Sequence, residues 1–169
     1  MAEHANPVLD LNELSAGIPA LTPGLAQVHA ECAALCLEDQ GHAETVELLV
    51  SGTECDRFDL IRMTVTNNMR RAHADEQRAT ELGACGVAFL LAPVITGLTA
   101  IQQAAKGGGF DYWLGPSNQP LDILVFQNSA RLEVSGIRNG SASQVRTQTR
   151  AKLRQSSPSD SSNYPRTQL

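Results

Sequence analysis

Apolar and polar residues alternate along two neighbouring stretches of the chain, TVELLVSG (45–52) and RFDLIRMTVT (57–66). Alternation with a period of two is typical of a β-strand with one buried face, and the short polar turn between the stretches predicts a hairpin. Upstream, residues 22–42 predict a helix, because Thr22 suits the capping position and Gly41 suits the end. The first half of the chain is therefore predicted to contain a helix followed by a hairpin.

A long apolar helix, further strands and a basic helix are predicted in the second half of the chain. Residues 74–94 carry acidic residues in the first turn and a strongly apolar second half, which predicts a helix that ends near Pro93 and packs on a sheet. A basic, moderately amphipathic helix is predicted at 141–155. The apolar stretches between the two helices predict strands at 98–104, at 109–115 and, as one long strand or two pieces, at 121–137.

Together these elements predict an α/β protein in which a mixed β-sheet is flanked by helices. With 169 residues, of which 42% are hydrophobic, the chain can bury one core, so a single domain is expected over residues 21–155. Residues 1–20 contain proline, glycine and many polar residues, and they predict a flexible arm. The serine-rich residues 156–169 predict a disordered tail.

Composition also bears on where the protein is found. No stretch approaches the roughly 20 apolar residues that cross a bilayer, and the amino terminus has no basic region followed by an apolar one. The four cysteines lack CxxC spacing and predict reduced thiols. These observations predict a soluble cytoplasmic protein that does not bind a membrane.

The net charge of −5 is distributed unevenly along the chain. Residues 1–60 contain eleven acidic residues and one basic residue, whereas the remainder contains seven acidic and twelve basic residues. The charged residues between 136 and 158 are all basic, which predicts either a surface for phosphate groups or an ordinary solvated helix face. Nucleic acid is the partner that such a surface would bind, through Arg146, Arg150, Lys152 and Arg154.

Three other groups of residues have both a functional and a structural interpretation. His29, Cys32 and Cys36 fall on one face of the first helix, where they suit either metal ligands or a buried apolar face. The apolar helical setting of Cys85 in GACGVAF predicts an inert core thiol rather than a nucleophile. The three glycines at 107–109 suit a hairpin turn better than a phosphate-binding loop.

Two acidic residues lie in predicted neighbouring strands, Asp111 in GFDYWLG and Glu133 in RLEVSG. Together with the flanking elements, the order is helix, strand, strand with Asp111, strand with Glu133, helix. This order resembles the PD-(D/E)XK nuclease superfamily over residues 74–155, with Glu81 in the position of an additional helical glutamate. The two segments are also similar to bacterial proteins of similar size, and that resemblance implies no activity.

The resemblance implies a restriction-endonuclease-like fold and metal-dependent hydrolysis of nucleic-acid phosphodiesters. Asp111 and Glu133 would be the catalytic ligands of Mg²⁺ or Mn²⁺, with Glu81 as a weaker third ligand, because carboxylates supply the hard oxygen donors that these cations prefer. The cation neutralises charge that develops on the phosphate and activates a water molecule. Alternation in ARLEVSGI places Arg131, Glu133 and Ser135 on one face of their strand, so this face is polar.

The chain departs from the family pattern at two points. Ser135 occupies the position of the lysine in Glu-x-Lys, so the catalytic cation is expected from a neighbouring helix, with Lys152 as the candidate and Lys106 behind it. The strand that follows the last helix in the family has no counterpart in the serine-rich tail. The sheet is therefore expected to leave an open edge for a protein partner or a second copy of the chain. A catalytically inactive interaction or regulatory subunit on the same fold is the alternative to a nuclease.

Overall fold

The computed structural model describes residues 5–52, 55–120 and 129–156. The predicted α/β class is confirmed, and the helix–strand–strand–strand–helix order of the second half is present. The first part of the predicted strand at 121–137 and almost all of the predicted tail lie outside the described residues. The elements in chain order are β1 (Val8–Asp10), a 3₁₀ helix (Leu11–Ser15), α1 (Pro23–Asp39), β2 (Thr45–Ser51), β3 (Cys55–Ile61), α2 (Asn67–Ala72), α3 (Glu76–Thr96), β4 (Thr99–Gln103), β5 (Tyr112–Gly115), β6 (Ala130–Leu132) and α4 (Ala142–Ser156).

The described strands are divided between two three-stranded sheets. The first sheet is mixed and has the order β1-β3-β2, with β1 parallel to β3 and with β2 and β3 forming the predicted antiparallel hairpin. The second sheet has the order β4-β5-β6 and is antiparallel throughout. In the turn between β4 and β5, Gly107 and Gly109 have φ values of 92° and 78°, which favour glycine, as the predicted hairpin turn requires.

The packed domain includes residues 8–15, which corrects the flexible arm predicted for residues 1–20. β1 pairs with β3, and the side chains of Leu11 and Leu14 in the 3₁₀ helix are completely buried. Short apolar anchors of this kind gain their stability from long-range contacts, so a polar local composition does not reveal them. Residues 1–4 lie outside the described residues.

Helices α1 and α3 approach each other closely because glycine residues of α3 face the backbone of α1. A Cβ atom at Gly83 would lie 2.9 Å from the backbone nitrogen of Ala33, and one at Gly86 would lie 2.9 Å from the carbonyl oxygen of His29. The helix does not end near Pro93 as predicted. It continues to Thr96 and ends at the left-handed Gly97, whose backbone N–H donates to the carbonyl of Pro93.

One hydrophobic core connects the two helices with both sheets. Phe89 of α3 is completely buried at its centre and makes edge-to-face ring contacts with His29 of α1 and Tyr112 of β5, at centroid distances of 5.2 and 4.8 Å. Such aromatic pairs stabilise a fold beyond the area they bury. The position of β5 is therefore fixed by α3, which in turn is fixed by α1.

Helix α3 is long and apolar enough to cross a membrane by length and composition, with a mean hydropathy of 1.6. In the fold it packs along α1 and contributes Phe89 and Ala92 to the core. The core helix of a soluble protein commonly has this composition. The described residues have the character of a soluble domain built around one apolar helix.

Substitution of Gly83 by alanine tests the close approach of α1 and α3. The added Cβ would meet the backbone of Ala33, which cannot rotate away, so the helices must separate. We expect the free energy of unfolding to fall by about 1–3 kcal/mol, the usual cost of overpacking. Urea denaturation followed by circular dichroism measures the change.

Gly24→Ala is the matched control, because Gly24 also lies in a helix but a Cβ there has nothing within 4 Å. Its stability should be unchanged or raised by up to about 1 kcal/mol through helix propensity. Equal losses in the two variants would contradict the proposed contact between the helices.

Candidate functional site

Asp111 lies immediately before β5 and is bonded to both neighbouring strands of the second sheet. Its backbone N–H donates to the carbonyl of Leu132 at 2.9 Å, and its carbonyl accepts from the N–H of Ala104 at 2.8 Å. The carboxylate oxygen Oδ2 also accepts a hydrogen bond from the N–H of Val134 at 2.7 Å. Both the backbone and the side chain of Asp111 are thus held in the middle of the sheet.

Glu133 lies directly after β6 and faces Asp111. The ladder between β5 and β6 ends at the pair Tyr112–Leu132, so each carboxylate lies one residue beyond this pair. The Asp111 carboxylate also acts on the pKa of Glu133 as a hydrogen-bonding partner and as a neighbouring negative charge. The structure therefore brings together the two carboxylates that the sequence predicted as neighbours.

The pKa of Glu133 is raised above its ordinary value, first by burial and further by the charge of Asp111. Its side chain is only 14% exposed, so solvent screens the two charges poorly. Lys152 acts in the opposite direction through its hydrogen bond and its positive charge, yet the pKa of Glu133 remains raised. Burial therefore outweighs the effect of Lys152 on the pKa of Glu133.

Lys152 reaches the pair from α4, as the sequence predicted for a lysine from a neighbouring helix. Its Nζ atom donates to Oε1 of Glu133 at 2.6 Å. This hydrogen bond raises the pKa of Lys152 above its ordinary value, so the ammonium group stays charged at neutral pH. Lys106, the second candidate, lies exposed in the turn between β4 and β5.

Glu81 of α3 lies near the carboxylate pair without joining it. Its charge contributes to the raised pKa of Lys152, but its carboxylate is exposed and accepts a hydrogen bond from Gln77 at 3.2 Å. Within residues 5–52, 55–120 and 129–156, no three histidine, cysteine, aspartate or glutamate side chains lie close enough to hold a metal ion. The site thus contains two carboxylates, whereas the resemblance implied a third.

Cys85 lies on the same helix as Glu81, one turn further along. Burial raises the pKa of its thiol to about 12, and the charges of Asp111, Glu133 and Glu81 add to the effect. A thiol with so high a pKa stays protonated and is a poor nucleophile. This agrees with its predicted role as an inert residue beside the core.

The donor chemistry of the pair fits Mg²⁺ or Mn²⁺. Both cations prefer carboxylate oxygens, and Mg²⁺ usually keeps several water molecules while it binds one or two carboxylates together with substrate phosphates. Two protein carboxylates therefore suffice for such an ion. The charges of Glu133, Asp111 and Glu81 all raise the pKa of Lys152, so the negative charge of this site favours a cation beside it.

Helix α4 contacts the segment after β6 at two successive places. Four residues before Lys152, Gln148 donates to the hydroxyl of Ser135 at 2.6 Å, and Ser135 itself lies two residues after Glu133. This contact was not predicted from the sequence. The spacing of four residues on the helix corresponds to a spacing of two in the segment after β6.

The predicted basic residues of α4 do not share one face. Arg146, Arg150 and Arg154 are spaced by four residues and form one exposed stripe along the helix. Lys152 is two residues from its nearest arginines and therefore points in a different direction, toward Glu133. The helix thus presents one face to the carboxylates and another, positively charged face to solvent.

The segment between β6 and α4 is fixed to the end of α1 by Arg138. One guanidinium nitrogen lies 3.2 Å from the carboxylate of Asp39, and the other donates to the sulfur of Cys36 at 3.3 Å. Buried or half-buried ion pairs of this kind hold the geometry of a segment more than they add stability. Arg138 therefore anchors the chain just before the helix that carries Lys152.

The face formed by His29, Cys32 and Cys36 has the structural role. His29 is buried, its Nδ1 atom is hydrogen-bonded to the carbonyl of Leu82 at 2.8 Å, and burial lowers its pKa. Cys32 is completely buried, and burial raises the pKa of its thiol to about 11. Cys36 accepts the hydrogen bond from Arg138. His29 and Cys36 therefore have separate hydrogen-bond partners, and Cys32 is part of the buried face.

Comparison of the chain with models of known protein families, with curated proteins and with solved structures found no match. The chemistry of the site is consequently derived from its own residues, and the superfamily resemblance remains an expectation from the sequence.

The raised pKa of Glu133 predicts how protein stability changes with pH. Between the ordinary value of 4.5 and the raised value, the folded protein holds more protons on Glu133 than the unfolded chain does. Stability relative to Glu133→Gln should therefore be highest below pH 4.5 and should fall as the pH rises through the folded pKa.

Urea denaturation of wild type and Glu133→Gln from about pH 4 to about pH 8 measures this difference. Glu47→Gln is the matched control, because Glu47 is a half-exposed carboxylate that also forms an ion pair, with Arg57. A pH-independent difference between wild type and Glu133→Gln would contradict the raised pKa.

Proposed function

We propose that this protein is a metal-dependent, nuclease-like enzyme that hydrolyses phosphodiester bonds of nucleic acids, on a restriction-endonuclease-like variant of the α/β fold. Asp111 and Glu133 are the proposed cation ligands, and Lys152 is the proposed catalytic cationic group. The observation that carries the proposal is the meeting of the two carboxylates from adjacent strands with an ammonium group 2.6 Å from one of them.

The proposed metal ion is Mg²⁺ or Mn²⁺, held by Asp111 and Glu133. When bound, such a cation supplies charge neutralisation at the phosphate and lowers the pKa of a water molecule. The protein contributes rigid placement of the ligands. Asp111 is fixed by hydrogen bonds to Leu132, Ala104 and Val134, so its carboxylate needs little reorganisation to bind.

Lys152 has the properties of an electrostatic stabiliser. Its raised pKa keeps it protonated at neutral pH, so it carries a positive charge and cannot act as a general base. An ammonium group beside a metal-ligating carboxylate is suited to a phosphate oxygen on which negative charge accumulates. In this proposal Lys152 takes the role that Ser135 cannot take.

Nucleic acid is the proposed substrate because α4 adds an independent basic surface to the site. Arg146, Arg150 and Arg154 form an exposed stripe on the helix that carries Lys152. Arginine binds phosphates without reading base sequence, so this stripe would bind the substrate backbone. The reduced state of Cys32, Cys36 and Cys85 supports the cytoplasm as the proposed location.

The proposed enzyme should cleave labelled DNA or RNA in the presence of Mn²⁺ or Mg²⁺. Asp111→Asn, Glu133→Gln and Lys152→Ala should each lower the rate by about 10²–10³-fold, because each removes one charge from the reacting centre. Asp111→Asn should remain folded, since an amide oxygen can still accept the hydrogen bond from Val134. Gel-based cleavage assays measure the rates, and thermal melting checks the fold.

Glu47→Gln is the control for removal of a surface carboxylate and should cleave at the wild-type rate. Cleavage that persists in both Asp111→Asn and Glu133→Gln would reject the proposed site. Nucleic-acid binding by the wild type without any cleavage would instead favour the alternative, a catalytically inactive regulatory subunit.

Replacement of all three arginines of the stripe by alanine should weaken nucleic-acid binding with a defined salt dependence. Each lost phosphate contact should reduce the slope of log affinity against log salt concentration by about 0.7–0.9. Fluorescence anisotropy with a labelled oligonucleotide measures the slope. Arg57→Ala, which removes an exposed arginine of β3, should leave the slope unchanged, and equal effects of both changes would argue against a specific stripe.

A further inference from the structure

We propose that Gln148 and Ser135 form a positioning pair that sets α4 in register with the segment after β6, so that the ammonium group of Lys152 reaches Glu133. Only the expected effect on catalysis rests on the proposed function. Neither residue is proposed to touch the substrate or the cation.

The geometry of the two contacts carries this inference. The Gln148 side chain lies 2.6 Å from the Ser135 hydroxyl, and the Lys152 side chain lies 2.6 Å from the Glu133 carboxylate. Four residues of helix rise by about 6.0 Å, and two residues of extended chain span about 6.6 Å. Because the two spacings nearly match, both contacts form at once only in one register of the helix.

The weak docking of α4 makes this pair important. From Ala142 to Arg154 every side chain of the helix is exposed except that of Lys152. An isolated helix of this length is only marginally stable in water, and α4 has no buried apolar face to compensate. Its order and its register therefore depend on its polar contacts, of which the bond between Gln148 and Ser135 is one.

This arrangement explains why residue 135 is a serine. Ser135 shares the polar face of its segment with Glu133, and its short hydroxyl meets the longer side chain of Gln148. A small hydrogen-bonding residue at this point lets α4 approach closely enough for Lys152 to reach the carboxylate. The lysine supplied by the helix and the serine in the segment after β6 are thus two parts of one arrangement.

The test compares Gln148→Ala, Ser135→Ala and the double variant in the full-length protein. Hydrogen exchange of the amides of residues 142–154 should be about 2- to 10-fold faster in each single variant, the range expected for one lost hydrogen bond. The double variant should exchange no faster than the single variants, because they remove the same interaction. Acetylation of Lys152 by acetic anhydride, followed by mass spectrometry, should accelerate in parallel.

Two further variants separate positioning from general stability. Ser135→Thr keeps a hydroxyl and should restore both slow exchange and slow acetylation. Thr147→Ala removes a neighbouring exposed hydroxyl that donates to the Ser143 carbonyl of its own helix, and it should accelerate neither exchange nor acetylation, because alanine favours the helix. If cleavage is observed, Gln148→Ala should lower kcat by roughly 10- to 100-fold with little change in KM, as expected when a catalytic group is misplaced.

The outcomes distinguish this inference from the proposed function. Unchanged exchange and acetylation in Gln148→Ala would overturn the positioning pair, even if the wild type cleaves nucleic acid. Faster exchange and acetylation in a protein without cleavage activity would support the positioning pair and reject the nuclease proposal.

Discussion

The register of β5 against β6 is the constraint on which the whole site depends. Tyr112 and Leu114 of β5 are buried, and Tyr112 packs edge-on against Phe89 of α3. A slip of one residue would move these side chains to the opposite face of the sheet and would lose the core contacts. The apolar residues beside the site therefore decide that Asp111 faces Glu133, since the two carboxylates repel each other and cannot bring about their own pairing.

The site has an electrostatic cost that the fold alone does not explain. Two carboxylates lie close together in a poorly solvated place, and the pKa of Glu133 is raised first by burial and further by the charge of Asp111, although Lys152 lowers it. A fold selected only for stability would gain from a neutral residue at either position. Strongly perturbed titratable groups with a specific partner are characteristic of functional sites, and structural ion-pair networks are the other common source. The exposed arginine stripe on the same helix favours the functional interpretation.

The sequence predicted those elements that are determined by residues close together in the chain. The β2–β3 hairpin follows from alternation, and α1 follows from its cap at Thr22 and its apolar face. Residues 8–15 and the division into two sheets were not predictable in this way, because contacts distant in sequence determine them. The meeting of Asp111, Glu133 and Lys152 agrees with the predicted order of elements. The bond between Gln148 and Ser135 required the actual register of α4.

Helix α4 carries both the lysine at the carboxylates and a positively charged surface, the two features that a phosphodiesterase site requires. One face of the helix supplies Lys152 to the carboxylates, and another supplies three arginines to solvent. Since a helix moves as a rigid body, any force that shifts the arginine stripe also shifts the lysine. A polyanion bound to the stripe would therefore act on the ion pair between Lys152 and Glu133 without touching either residue. Weak docking of α4 makes this coupling effective, because a tightly packed helix would resist such displacement. The exposed arginine stripe and the charge balance of the candidate site are therefore properties of the same element.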